Sequence, residues 1–195
     1  MRVIAGRLGG RRLRAPKGRT TRPTSDRVRE ALFSMLGELD GSVALDLFAG
    51  SGALGIEALS RGAERVVFVE RDMSAVATLR ANLAELGLGE EQATVRVGDA
   101  LGWLRAARAR DETYDLVFID PPYRHASELQ GALSALLPAL LSPMARVVVE
   151  SDRRAPAELA LETMTRRRYG DTTITIHRLP SGGKDGYRAE AEDLE

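Results

Sequence analysis

The chain has 195 residues, a length suited to one domain with at most an appendage. Hydrophobic residues make up 44% and charged residues 29%, enough for a sizeable core, and the 28 basic and 28 acidic side chains exclude a generally polybasic protein. The lack of cysteine excludes disulfides, thiolate zinc sites and thiol nucleophiles, and two histidines, His125 and His177, are too few for a His-rich structural site, so no metal is expected.

Residues 1–25 carry eight basic side chains, Arg2, Arg7, Arg11, Arg12, Arg14, Lys17, Arg19 and Arg22, and no acidic one. The remainder then holds 20 basic against 28 acidic residues. That split reads as a basic arm for a polyanion on an acidic body. Arg2–Gly6 and Arg11–Arg14 are strand-like runs around a turn at Gly9-Gly10, so the arm is expected to be a β-hairpin. A frayed, solubilising terminus is the alternative.

After Pro23, Thr24 can cap a helix running to about Glu38, with Val28, Leu32, Met35 and Leu36 as its apolar stripe. Strands are then predicted at 42–48, 65–70, 93–97, 115–119 and 145–150, with helices at 53–60, from Asp72 or Ser74 to Gly87, at 101–109 and at 127–137. Ser127 and Gln130 fit a capping box at the start of the last helix. Residues 162–169 and 172–179 read as an antiparallel pair around Gly170-Asp171. Strands rich in Val, Ile and Leu without polar alternation are buried on both faces. The chain is therefore expected to be α/β, a doubly wound, mainly parallel sheet closing in an antiparallel hairpin. Three segments are expected: arm 1–22, catalytic domain 23–183, and an acidic, mobile tail 184–195. The longest uncharged run, Leu129 to Ala145, is too short and too broken to span a bilayer, and the N-terminus lacks a secretory apolar stretch. A cytoplasmic protein without a membrane partner is expected.

Gly50-Ser51-Gly52-Ala53-Leu54-Gly55 matches G-x-G-x-x-G between a predicted strand and helix, and Glu70 ends the next strand 20 residues on. A pyrophosphate at this turn would meet Asp46 just before the glycines, and Asp99 follows the third strand. Several carboxylates around one pocket suit a cationic cofactor without phosphate, and S-adenosylmethionine is such a molecule. Asp46 would face its ammonium, Glu70 its ribose hydroxyls and Asp99 its adenine amine. Phe48, Asp72 and Met73, beside these acids in sequence, join the candidates. The alternative is that Asp46 caps the loop backbone and Asp99 a helix, with Met73 in the core.

Asp120-Pro121-Pro122-Tyr123 leaves the carboxyl end of the fourth strand, the edge where open α/β sheets bind ligands. Two prolines remove two donors and stiffen the turn, leaving the Asp120 carboxylate and the Pro121 carbonyl as acceptors beside an aromatic ring. A planar base with an exocyclic NH₂ matches that set: its N–H groups donate to the two oxygens while its face stacks on Tyr123. Two acceptors out of the ring plane favour a pyramidal nitrogen and offset its developing positive charge. A strand-ending turn with a surface Tyr is the plainer reading.

Asp46-Leu47-Phe48-Ala49-Gly50-Ser51-Gly52 resembles motif I of class I methyltransferases, and Asp120 to Tyr123 resembles their amino-methylating motif IV. With Arg2–Gly6 and Arg22-Pro23-Thr24-Ser25-Asp26-Arg27-Val28-Arg29-Glu30-Ala31-Leu32-Phe33, the chain resembles the RsmD family up to about residue 183. The resemblance implies a seven-stranded Rossmann-like fold, S-adenosylmethionine as donor and S-adenosylhomocysteine as product. The implied substrate is the 2-amino group of one guanine in 16S rRNA, within the small ribosomal subunit or an assembly intermediate. It places Asp46, Gly50 and Gly52 on the methionine part, Glu70 on the ribose, Asp99 with Ala100 on the adenine, and Asp120, Pro121 and Tyr123 on the guanine. A monomer is expected.

Other candidates carry two readings each. Lys17, Arg22 and Arg27 can meet phosphates, or Arg27 can pair with Glu30; His125 and Arg124 lie beside the tetrapeptide; Trp103 suits the core or an adenine wall; His177 has no assigned role. The rival functions are methylation of adenine in DNA or RNA, methylation of a glutamine amide, and a non-catalytic RNA-binding assembly factor.

Overall fold

In the computed structural model of the chain, residues 1–15, 25–121, 126–154 and 156–180 are described. The first helix, α1, spans Asp26–Leu36. Its N-cap is Ser25, whose hydroxyl accepts from the Val28 amide, so the cap falls one residue after the expected Thr24. It ends at Leu36, two residues before the expected Glu38, with Gly37 as the positive-φ C-cap. Then follow β1 (Val43–Asp46), α2 (Ala53–Ser60), β2 (Arg65–Glu70), α3 (Met73–Leu86) and β3 (Ala93–Val97). After these come α4 (Ala100–Arg108), β4 (Tyr114–Ile119), α5 (Ala126–Leu136), β5 (Leu141–Asp152), β6 (Glu162–Tyr169) and β7 (Thr172–Arg178).

Seven strands form one sheet in the order β3-β2-β1-β4-β5-β7-β6. The pairs β1–β2 and β2–β3 are parallel, and β7 runs antiparallel to both β5 and β6. The expected mainly parallel sheet with a C-terminal antiparallel hairpin is therefore present. The strand order reverses direction between β1 and β4, the switch point of a doubly wound sheet.

The edges of elements differ from expectation for local reasons. β1 is shorter than 42–48 because the chain turns into the glycine loop after Asp46. β5 extends to Asp152, where β7 pairs with it up to Asp152↔Thr172. α5 begins at Ala126, which places Ser127 inside the first turn rather than at the cap; its side chain lies outside the described residues.

The chain divides into two compact units, residues 1–100 with 118–120, and residues 101–117 with 121–195. In the first, Phe33, Leu45, Leu47, Ile56, Leu59, Phe68 and Leu79 are fully buried, and Phe33 packs on Phe118 with ring centroids 5.8 Å apart. In the second, Leu116, Val147, Val149 and Ile174 are buried, Ser142 donates to Asp115 at 2.6 Å, and the Arg110 guanidinium lies 4.6 Å over the half-buried Trp103 ring. His177 is buried on β7 with Thr163 Oγ1 3.3 Å from Nδ1, and burial pushes its pKa down.

Candidate active site

The glycine loop is built by the first unit alone. Gly52, left-handed at φ 82°, is the N-cap of α2, and its amide donates to the Ala49 carbonyl at 2.7 Å. A Cβ on Gly52 would strike the Leu79 side chain, and one on Gly55 would strike the Phe68 ring. Those two glycines let α2 sit tight on β2 and α3. Gly50 differs. It is left-handed at φ 54°, yet a Cβ there would have only the Phe48 carbonyl within 4 Å, at 3.9 Å. The turn therefore leaves open space where the loop backbone faces outward.

Two carboxylates hold this loop from below. Asp46 ends β1 at 3% exposure, and its Oδ2 accepts from the Gly55 amide at 3.1 Å. Burial raises its pKa to about 7 against the lowering effect of that hydrogen bond, and the charge of Glu70 adds to the rise. Glu70 ends β2; its Oε2 accepts from the Gly50 amide at 2.9 Å and its Oε1 from the amides of Arg71 and Asp72 at 2.8 Å. Both acids thus bind loop backbone, the alternative weighed for Asp46, while standing at the carboxyl ends of adjacent strands.

Around them, Asp72 is exposed and caps α3 by accepting from the Ala75 amide at 2.8 Å. Met73 is 63% exposed, so the core reading of that residue does not hold. Val97, paired with Glu70 across β2–β3, is 49% exposed; it was not among the sequence candidates. Its apolar side chain at a strand end is the signal that could have found it. Asp99 is exposed between β3 and α4, Ala100 is buried, and Phe48 is half-buried. Asp120 follows β4 half-buried, and Pro121 is buried. The Leu47 amide donates to the Phe118 carbonyl at 3.1 Å, tying the ends of β1 and β4. Pro122, Tyr123, Arg124 and His125 lie outside the described residues.

Within its described residues, 1–15, the arm is docked rather than frayed. Arg2 and Arg12 form an antiparallel bridge, and the amides of Val3, Gly10 and Leu13 donate to Arg11, Val3 and Met1 carbonyls. The reversal spans residues 5–10, wider than a two-residue turn at Gly9-Gly10. Val3, Leu8 and Leu13 are buried. Glu57, fully buried on α2, accepts from the Ile4 amide at 2.7 Å, the Ala5 amide at 3.1 Å and Arg61 Nε at 2.7 Å. The Arg7 amide donates to the Ser60 carbonyl at 2.8 Å and Arg7 Nε to the Leu59 carbonyl at 3.3 Å, so the arm supplies the C-terminal cap of α2. Gly6, at φ 79°, is needed because a Cβ would collide with the Ser60 backbone.

Arg2, Arg7, Arg11, Arg12 and Arg14 are exposed. Arg2 pairs with Asp26 at 3.4 Å, Arg14 with Glu85 at 3.2 Å, and Arg11 Nη2 donates to the Glu85 carbonyl at 2.8 Å. Lys17, Arg19 and Arg22 lie outside the described residues. The i,i+3 ion pair of α1 runs from Arg29 to Asp26 at 2.8 Å rather than from Arg27 to Glu30. Arg29 is fully buried and donates to the Arg2 carbonyl at 2.5 Å. Sequence reasoning missed Glu57, Ser60, Asn82 and Arg29 as partners of the arm.

The reversed strand order, the glycine loop after β1 and the acid at the end of β2 define the class of Rossmann-like methyltransferases. A family model described as Conserved hypothetical protein 95 matches residues 1–178, and the chain belongs to that family, the RsmD family. The Bacillus subtilis (strain 168) protein YlbH, which carries a provisional rRNA methyltransferase name, is 43% identical over 187 residues, 91% of this chain and 98% of its own. The Ribosomal RNA small subunit methyltransferase D of Haemophilus influenzae is 38% identical, covering 92% of each chain. Among solved structures, a hypothetical protein of Thermus thermophilus superposes with TM-score 0.79 at 32% identity, over 92% of this chain and 99% of that one. Two other structural neighbours carry provisional methyltransferase names, one from Streptococcus mutans named as S-adenosylmethionine-dependent and one complexed with S-adenosylhomocysteine; at 16% identity they share the fold alone.

Proposed function

We propose that the chain is an enzyme that methylates the 2-amino group of a guanine in 16S rRNA, with S-adenosylmethionine as donor. The supporting observation is that three adjacent strands, β2, β1 and β4, bring Glu70, Asp46 and, just past β4, Asp120 to one edge around a loop whose Gly50 faces open space. A buried carboxylate, left-handed glycines and exposed apolar side chains suit a ligand carrying an ammonium, a ribose and a flat base.

Asp46 would accept from the ammonium and Glu70 from the ribose, while Asp72, Met73, Asp99 and Ala100 would line the adenine end. When bound, the donor supplies an electrophilic methyl carbon. Asp120 and the Pro121 carbonyl would accept hydrogen bonds from the two N–H groups of the guanine amine and keep its lone pair directed out of the ring plane, and the Asp120 carboxylate would take the proton released as the N–C bond forms and the donor's S–C bond breaks. Pro122 would restrict the backbone there and Tyr123 would carry the base face. The arm, with Arg2, Arg7, Arg11, Arg12, Arg14, Lys17, Arg19 and Arg22, would bind RNA phosphates. The reading includes a single copy of the chain acting in the cytoplasm on a small ribosomal subunit or an assembly intermediate. No helix among the described residues is long and apolar enough to cross a membrane.

The test is transfer of labelled methyl to small subunits lacking the modification, followed by nucleoside analysis. Label is expected in N2-methylguanosine; label in adenine or in protein overturns the reading, and no transfer despite intact binding favours the assembly-factor alternative. Asp120→Ala should lower kcat by roughly a hundredfold or more and leave S-adenosylhomocysteine affinity within about twofold, because its contacts are to the acceptor.

A further inference from the structure

Asn82 lies within α3 at 1% exposure, and one side chain there serves two segments far apart in sequence. Its Oδ1 accepts from the Arg14 amide at 2.8 Å, and its Nδ2 donates to the Arg14 carbonyl at 3.1 Å. To the end of the arm it therefore behaves as a strand partner would. The same Nδ2 donates to the Ser51 carbonyl at 2.9 Å, the residue between Gly50 and Gly52. A single carboxamide thus bonds both the arm and the glycine loop directly.

A parallel tie runs through α2. Its N-terminal half is held by Asp46 at Gly55, and its last turn is held by the arm through Glu57 and Ser60. The loop and the arm are thus fastened to the same two helices, and Asn82 closes the circuit between them. A carboxamide suits the position because both donations need an N–H and the third contact needs an oxygen. Because the Asn82 side chain itself is buried, losing one of these partners would leave a polar group unsatisfied at a cost.

We infer that Asn82 is a positioning residue that couples the two binding events, so that RNA on the arm and cofactor on the glycine loop raise each other's affinity. The inference rests on the proposed reading of the loop and the arm. Whichever ligand orders one segment also orders the other through the shared side chain, and the second ligand then loses less conformational freedom on binding. Such coupling is reciprocal.

The test measures S-adenosylhomocysteine affinity with and without small subunits lacking the modification, in the wild type and in Asn82→Asp. The Asp variant keeps the shape and the oxygen facing the Arg14 amide but turns an acceptor onto the Ser51 and Arg14 carbonyls. Wild-type affinity should tighten about fivefold or more with subunits present, and the variant's ratio should fall to near one while each ligand alone still binds. A wild-type ratio of one, or equal ratios in the two proteins, overturns the inference. Should the variant fail to fold, hydrogen exchange of the wild type decides: adding S-adenosylhomocysteine should slow the amides of Val3, Gly10, Leu13 and Arg14 severalfold. Slowing confined to the glycine loop overturns the coupling alone. Failure of the wild type to bind S-adenosylhomocysteine overturns the reading of the loop, and the coupling with it.

Discussion

Asp46 carries a conflict between folding and binding. Burial lifts its pKa from 3.8 to about 7, so between those values the folded chain holds a proton that the unfolded chain has released. Its contribution to stability is whole below 3.8 and is lost as pH rises through 7. The ammonium of the proposed cofactor would need the opposite, the ionised form. Asp46→Asn keeps an oxygen for the Gly55 amide and removes the titration. Thermal midpoints of the wild type should fall between pH 5 and 8, while those of the variant stay flatter and end higher at pH 8. S-adenosylhomocysteine affinity should tighten from pH 6 to 8 in the wild type, and be weaker and pH-independent in the variant. Parallel stability curves in the two proteins would show that Asp46 does not set the dependence. Asp46 and Glu70 were legible as acids at strand ends because their type and spacing are local. Their bonds to the loop were not, because which backbone amide turns toward a carboxylate is decided by the loop's φ angles.

At the scale of elements, the arm changes what a truncation means. Removing residues 1–14 strips Val3, Leu8 and Leu13 from the core and leaves the buried Glu57 carboxylate without its two amide donors. Each buried aliphatic side chain contributes roughly 1.5–3 kcal/mol, and a lost kcal/mol lowers the midpoint of a chain this size by about 2–4 °C. The truncated chain should therefore melt more than about 10 °C below the full chain; an unchanged midpoint would show the arm to be an independent appendage. The helix at 53–60 and the strands at 65–70 and 93–97 stand where apolar runs and glycines place them, since period and turn chemistry are local signals. Docking of the arm was hidden for the opposite reason. Glu57 reads as one acid inside a helix, and its partners lie 52 and 53 residues away. Ser25 replaced Thr24 as the cap because both residues suit that role and only the backbone chooses between them.

Across the whole molecule, basic charge is concentrated in the first 25 residues while the remainder is acidic. On the proposed reading, a phosphate backbone would be drawn to the arm in preference to the net-acidic remainder, so charge would orient the encounter before any base is read. Exposed arginines also lie on β6, the sheet's edge strand, where Arg167 and Arg168 can serve to keep other strands away. The two sets make opposite predictions. Each arm arginine that meets a phosphate releases counterions, and its loss should reduce the slope of log affinity against log salt by roughly 0.7 for a single strand. Arg12→Ala with Arg14→Ala should thus flatten the slope by roughly 1.4 without lowering the melting point much, because both side chains are exposed and the Arg14–Glu85 pair is a surface contact. Arg167→Ala with Arg168→Ala removes the same charge and should leave the slope unchanged. Equal flattening in both double variants would mean that the RNA responds to total charge, and the arm would then hold no privileged place in recognition.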